Sequence, residues 1–154
     1  MLVKDFMELR TYLDPEDLFK VEVPRDWQLV ETSRESDFRV VFYAPPDQTS
    51  DFRSNCSVLL VDVPNLTNEE YVNMNRLQLK QLSGGETLDR DESLDTAHVF
   101  EWINNETSTP WWVRNQLFFG KGNILTVSAS CPNHQKEKFI GIFDSIFRSF
   151  KLDD

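Results

Sequence analysis

The sequence predicts an α+β fold, an antiparallel sheet with two or three helices packed on it. Three observations predict it. Apolar runs of strand length follow one another through short turns, the arrangement that favours antiparallel pairing. Phe139, Ile142, Phe143, Ile146, Phe147 and Phe150 recur at helical spacing, with Glu137, Asp144 and Arg148 opposite, which marks one face of a C-terminal helix. Neighbours such as Val40 and Val41, or Leu59 and Leu60, are both apolar, so several strands require cover on both faces.

Residues 2–13 carry Val3, Phe6, Met7 and Leu13 at roughly helical spacing and predict a short helix that stops before Asp14-Pro15. Leu18 to Val23 alternates and predicts a strand; Pro24-Arg25-Asp26 is a turn, and an extended run resumes from Trp27 to Glu31. Phe38 to Ala44, rich in valine and aromatics, predicts a strand, and so does the nearly continuous apolar run Cys56 to Val63. Thr67-Asn68-Glu69-Glu70 is a capping box opening a helix with Tyr71, Val72, Leu79 and Leu82 on its apolar face and Gly84-Gly85 as its stop. The acidic segment 86–95 is read as an irregular strand. In Thr96 to Asn104, His98, Phe100 and Trp102 alternate with Val99, Glu101 and Ile103. Trp111 to Phe119 and Ile124 to Cys131 form a hairpin about Gly120-Lys121-Gly122-Asn123. With no internal repeat or linker, the 154 residues read as one domain, residues 1–14 being an N-terminal extension.

Composition excludes several classes. Sixteen Lys and Arg face 26 Asp and Glu, for a net charge of −10, which argues against nucleic acid and anionic membranes as partners. No apolar run reaches about 18 residues, so no membrane insertion is expected. Met1 to Phe6 lacks the pattern of a signal peptide, and the chain as given reads as cytoplasmic. The sequons at Asn55, Asn65 and Asn105 are read as chance without an export signal.

Reaction chemistry is hard to find. A nucleophilic site with a histidine base has only His98 or His134 to use. Cys131 and His134 form the one candidate reactive corner, weighed against a core thiol beside a surface histidine; Cys56 reads as a second buried thiol, with a disulfide or redox pair of Cys56 and Cys131 as the alternative. Asp89, Asp91 and Asp95 are candidate cation ligands, but positions six and twelve of a calcium loop counted from Asp89 hold Leu94 and Phe100 rather than glycine and glutamate. Gly120-Lys121-Gly122 has the wrong spacing for a phosphate loop. No catalytic residue and no cofactor is assigned. Trp111, Trp112 and Arg114 are candidates for a partner-binding patch: strand neighbours point to opposite faces, so one tryptophan fills the core while the other lies outside it, unless helices cover both faces.

The order of elements resembles the PsbP-like family, in a superfamily shared with a nuclear Ran-binding protein and bacterial DcrB-type proteins. Three stretches carry the resemblance: Tyr12 to Trp27 with its Pro24-Arg25-Asp26-Trp27 close, Phe38 to Ala44 followed by Ser57 to Val63 and the helix from Thr67, and Gly122 to Pro132 followed by a helix ending Ser149-Phe150. The resemblance implies an α/β/α sandwich around a central, mostly antiparallel sheet of about six to seven strands. It also implies a non-enzymatic, monomeric protein-interaction or assembly module: a photosystem II accessory protein or assembly factor, a partner of a small GTPase, or a chaperone for secreted effectors. It places the chain in a thylakoid lumen or periplasm if a leader has been removed. The alternative read from the residues is a small-ligand or divalent-cation binder using segment 86–95.

Overall fold

The computed structural model describes residues 7–32, 38–47, 53–62, 65–84, 88–105 and 108–152. Among these residues, ten strands and two α-helices run in the order β1 (Leu9–Leu13), β2 (Phe19–Pro24), β3 (Gln28–Glu31), β4 (Phe38–Tyr43), β5 (Asn55–Val61), α1 (Asn68–Leu82), β6 (Arg90–Ser93), β7 (Ala97–Asn104), β8 (Trp111–Phe119), β9 (Ile124–Pro132), α2 (Lys136–Ser149) and β10 (Lys151–Leu152). A seven-stranded sheet has the order β3-β4-β5-β9-β8-β7-β6, and every neighbouring pair is antiparallel. A second sheet, β1-β2-β10, is also antiparallel.

The helix α1 begins where its capping box requires. The Glu70 amide donates to Thr67 Oγ1 at 3.0 Å, and the Thr67 amide donates to Glu70 Oε1 at 3.1 Å, satisfying two of the free N–H groups of the first turn. Gly84, at φ +89°, follows the C-terminal turn in a conformation that favours glycine. The β8–β9 hairpin closes with the Gly120 amide on the Asn123 carbonyl at 3.0 Å, and Gly122 takes φ +77°.

The two helices cover opposite faces of the large sheet. Phe139, Phe143, Ile146 and Phe147 of α2 lie buried with Val40, Phe42, Cys56, Val58, Trp112, Leu125, Val127 and Cys131 of the large sheet. Phe19, Val21 and Val23 of the small sheet complete that core. Val72 and Leu79 of α1 pack with Phe100, Trp102, Val113, Leu117 and Ile124 on the other face. Strand alternation feeds both layers, so β8 sends Trp112 and Phe118 to one core and Val113 and Leu117 to the other.

The N-terminal helix expected over residues 2–13 is corrected. Residues 1–6 lie outside the described residues, and Leu9–Leu13 is a strand paired in register with β2, from Leu9 opposite Pro24 to Leu13 opposite Lys20. Leu9-Arg10-Thr11-Tyr12-Leu13 in fact has period two, with Arg10 and Tyr12 turned inward. The helix stop expected at Asp14-Pro15 is a hairpin turn. Asp14 is buried, accepts the amides of Glu16 and Leu18 at 3.3 and 3.2 Å, and pairs with Arg39 at 3.2 Å. The strand expected over Leu18 to Val23 forms as β2, but it is the centre of a separate small sheet whose last strand, β10, has no counterpart in the sequence pattern. The acidic segment contributes a regular edge strand, β6, paired from Arg90 opposite Glu101 to Ser93 opposite His98.

Candidate functional site

The Cys131–His134 corner comes apart. Cys131 is the penultimate residue of β9 and has its side chain in the α2 core, while His134 sits exposed in the short 3₁₀ turn Asn133–Gln135. Burial pushes the Cys131 thiol up to about 12, Lys136 opposing it weakly, and burial alone pushes Cys56 up to about 12. Both thiols are free and protonated at neutral pH, which removes the nucleophilic form.

The aspartate candidates are also separated. Asp91 is committed to the protein: Arg76 of α1 donates Nη2 to Asp91 Oδ1 at 2.9 Å, and His98 Nε2 lies 2.6 Å from the same oxygen. The hydrogen bonds from Arg76, then that from His98, hold the Asp91 carboxyl below its ordinary value despite partial burial. Asp89 and Asp95 are exposed. Among the described residues, no group of three His, Cys, Asp or Glu side chains is placed to hold a metal.

Sequence reasoning missed what lies around His98. Ser93 Oγ is 3.2 Å from His98 Nδ1, so Ser93, His98 and Asp91 form a hydrogen-bonded chain across the β6–β7 pair. These are the residue types of a nucleophile, a base and its orienting acid. The chemistry is blunted by Arg76, because a carboxylate already paired with a guanidinium supports an imidazolium poorly. The chain instead ties the edge strand β6 to α1, and His98 packs against the Phe100 ring at 4.7 Å between centroids. Only the strand register could have revealed it, since Ser93 and His98 are exact cross-strand partners.

The tryptophan–arginine candidates divide. Trp112 is 0% exposed and stacks on Phe143 with centroids 6.0 Å apart, so it has no surface to offer a partner. Trp111 is half-buried on the opposite, α1-facing side of β8. Arg114 is buried too. Its guanidinium lies 5.3 Å from the ring centres of both Trp112 and Phe147, and it pairs with Glu101 at 2.8 Å and Asp144 at 2.6 Å. Two ion pairs and two aromatic faces fix this cation in place.

A cleft of about 630 Å³ opens at one end of the sandwich. Trp27, Pro45, Pro46, Phe139 and Ile142 give it an apolar floor. Asp26, Asp47, Arg53 and Lys138 add charges of both signs. Trp27 meets Phe139 and Phe143 edge-on at 6.4 and 6.2 Å, which sets the floor rigidly on α2. Gln135 donates to Asp47 at 2.7 Å and joins the loop after β4 to the start of α2. Trp111 belongs to the same end of the sheet. It pairs with Pro132, from which the chain turns into the segment carrying Gln135.

No family model and no curated sequence matches this chain. Solved structures do. Cyanobacterial PsbP (CyanoP) from Synechocystis sp. PCC 6803 superposes with a TM-score of 0.67 at 17% identity, over 96% of this chain and 94% of that one. LpqN, described as involved in cell envelope biogenesis of Mycobacterium tuberculosis, gives 0.68 at 12% identity, over 99% and 95%. The Saccharomyces cerevisiae Ran-binding protein Mog1p gives 0.65 at 12% identity, over 97% of both chains. The fold is thus the PsbP-like one across nearly the whole chain. At these identities the likeness is one of fold. Among the described residues, no helix is long and apolar enough to cross a membrane.

Proposed function

We propose that this chain is a non-catalytic protein-interaction module of PsbP-like type. Its partner docks at the end of the sandwich that carries the Trp27–Phe139 cleft, with Trp111 at the flank of the same end. The observation that carries the reading is the fold shared over at least 96% of the chain with proteins that include a Ran-binding one. The chemistry of the interior agrees with it: both thiols are buried and protonated, and Asp91 is bound to Arg76. The cleft has the composition of an interface, an apolar floor with a charged rim. Its occupant is a partner segment that inserts an apolar side chain over Trp27 and Phe139 and meets Asp26 and Lys138 with opposite charges.

The test is affinity capture from the source cells with a C-terminally tagged chain, set beside Asp26→Lys and Lys138→Glu. One stoichiometric protein retained by the wild type and lost from both variants, with their circular dichroism unchanged, is the expected result. Its identity selects the role: photosystem II subunits, a small GTPase and a secreted effector each mark one branch of the resemblance, and the first would place the chain in a thylakoid lumen. Equal retention by all three baits, or no stoichiometric protein, overturns the reading.

A further inference from the structure

The α1 core covers only part of its face of the large sheet. It draws on β7, β8 and Ile124 of β9, and no residue of β3, β4 or β5 belongs to it. On the part left open, side chains stand in cross-strand rows. The middle row runs Val30, Val41, Ser57, Ser128 and Asn115, each directly opposite the next across β3-β4-β5-β9-β8. Every side chain of that row is half-buried or exposed. The rows on either side begin with Gln28 on β3 and Phe38 on β4, and Val30 and Phe38 are 39% and 45% exposed.

From β3 to β9 none of the three rows carries an Asp, Glu, Lys or Arg. A sheet face turned to water ordinarily carries charge at alternate positions, as β2 does with exposed Lys20 and Glu22. Charged residues make up 27% of this chain, so an uncharged face of this width stands apart from the rest. At its border Arg53 is held over the Tyr43 ring, 5.3 Å from the centre, and donates to Gln28 Oε1 at 2.7 Å.

The missing charge selects the occupant. Two copies of a chain at −10 repel each other, and a carboxylate brought against its own copy across a two-fold axis adds to that repulsion. Serine and asparagine side chains both donate and accept, so each can bond to its own copy. A row of valine, hydroxyl and amide is therefore complementary to itself, whereas a strongly charged partner finds nothing there to pair with. The size also suffices. Five strands about 4.8 Å apart, each giving about six residues of 3.4 Å, span roughly 24 by 20 Å, about 500 Å² in each copy. Two copies then bury about 1,000 Å², the lower limit of a specific interface.

We infer that this face joins two copies of the chain in a weak, two-fold symmetric dimer, sheet against sheet, with the row from Val30 to Asn115 at its centre. An interface of this size holds with a dissociation constant on the order of 10–100 μM. Added salt tightens it, because salt screens the repulsion between the two acidic copies and breaks no ion pair in the contact. No residue of these rows lines the Trp27 cleft, so this reading and the partner reading fail separately.

The test is sedimentation equilibrium of the full chain over a range of concentrations spanning that constant, at low and at high sodium chloride. The expected result is a mass that rises with concentration from one copy towards two, more steeply at high salt. Ser57→Lys in the middle row and Val30→Lys on the edge strand should each weaken the association about tenfold or more, with circular dichroism unchanged. Met74→Lys, on the exposed side of α1, should leave it as it is. A single-copy mass throughout the range overturns the inference. So does a dimer that both row variants keep and Met74→Lys loses. A monomeric chain whose captured protein is lost from Ser57→Lys but kept by Asp26→Lys would give this face to a different protein, and overturns it too.

Discussion

Replacing Trp112 by alanine should cost as much stability as replacing Phe143. Trp112 is fully buried, and its ring lies nearly parallel to that of Phe143, at 19°. Truncating a core tryptophan or phenylalanine to alanine costs about 3–5 kcal/mol through lost transfer energy and the cavity left behind. The stacked pair adds roughly 0.5–1.5 kcal/mol that either truncation removes. Arg114 and Lys136, each 5.3 Å from the Trp112 ring, lose one aromatic face as well. Arg114 still keeps Glu101 and Asp144, so that loss stays at the exposed-site end, about 0.5–1 kcal/mol. Among the described residues the indole Nε1 has no hydrogen-bond partner, so truncation adds no such loss there. Together these contributions place Trp112→Ala at about 4–7.5 kcal/mol, and Trp112→Phe, which keeps the stacking, at about 1–2 kcal/mol. Urea unfolding followed by circular dichroism, with the m-value checked for constancy, measures all three variants. A Trp112→Ala loss below half that of Phe143→Ala would refute the assignment of Trp112 to the core and return it to the surface.

Three further outcomes follow from the same geometry. Asp91 is held below its ordinary value, so its contribution is present above the unfolded carboxyl value, about 3.9, and is lost as pH falls through the folded one; Asp91→Asn should therefore be less stable than wild type at pH 7, and the gap should close below about pH 4. A gap that persists at pH 2 would contradict the ion pair with Arg76. Cys56 and Cys131 should resist a thiol reagent at pH 8 in the native protein and react together on unfolding, because burial holds both protonated; rapid native labelling of either would show a thiolate that the core does not allow. A fluorophosphonate probe should leave Ser93 unlabelled, Arg76 having taken the carboxylate that a His98 base needs; stoichiometric labelling abolished by Ser93→Ala would restore a catalytic reading.

Local chemistry made much of this architecture legible. The capping box at Thr67, the glycines of the β8–β9 hairpin and the aromatic face of α2 act over a few residues, and each appears where the spacing put it. The N-terminal segment failed for a physical reason. Five residues with apolar groups at both ends fit a helical or an extended period, and what decides is pairing with β2, a non-local contact. Two of the three tryptophan–arginine candidates, Trp112 and Arg114, are buried for a similar reason, while Trp111 stays half-buried. On β8 the set Trp111, Val113, Leu117 and Phe119 is the more apolar one, which makes Arg114 and Gln116 look outward. The structure buries both, because Glu101 lies across the β7–β8 register and Asp144 comes from α2 to receive the Arg114 guanidinium. Neither partner is near Arg114 in sequence. The His98 chain needed the β6–β7 register in the same way.

A protein partner seated at one end of this sandwich would shield the backbone amides there. Hydrogen exchange of the chain alone and in complex with its captured partner tests it most directly. Added protection is expected around Trp27, Pro45 to Asp47, Gln135 to Phe139 and Trp111, with the exposed side of α1 unchanged. Protection centred on α1 around Met74 and Leu77, with the Trp27 end unaltered, would contradict it.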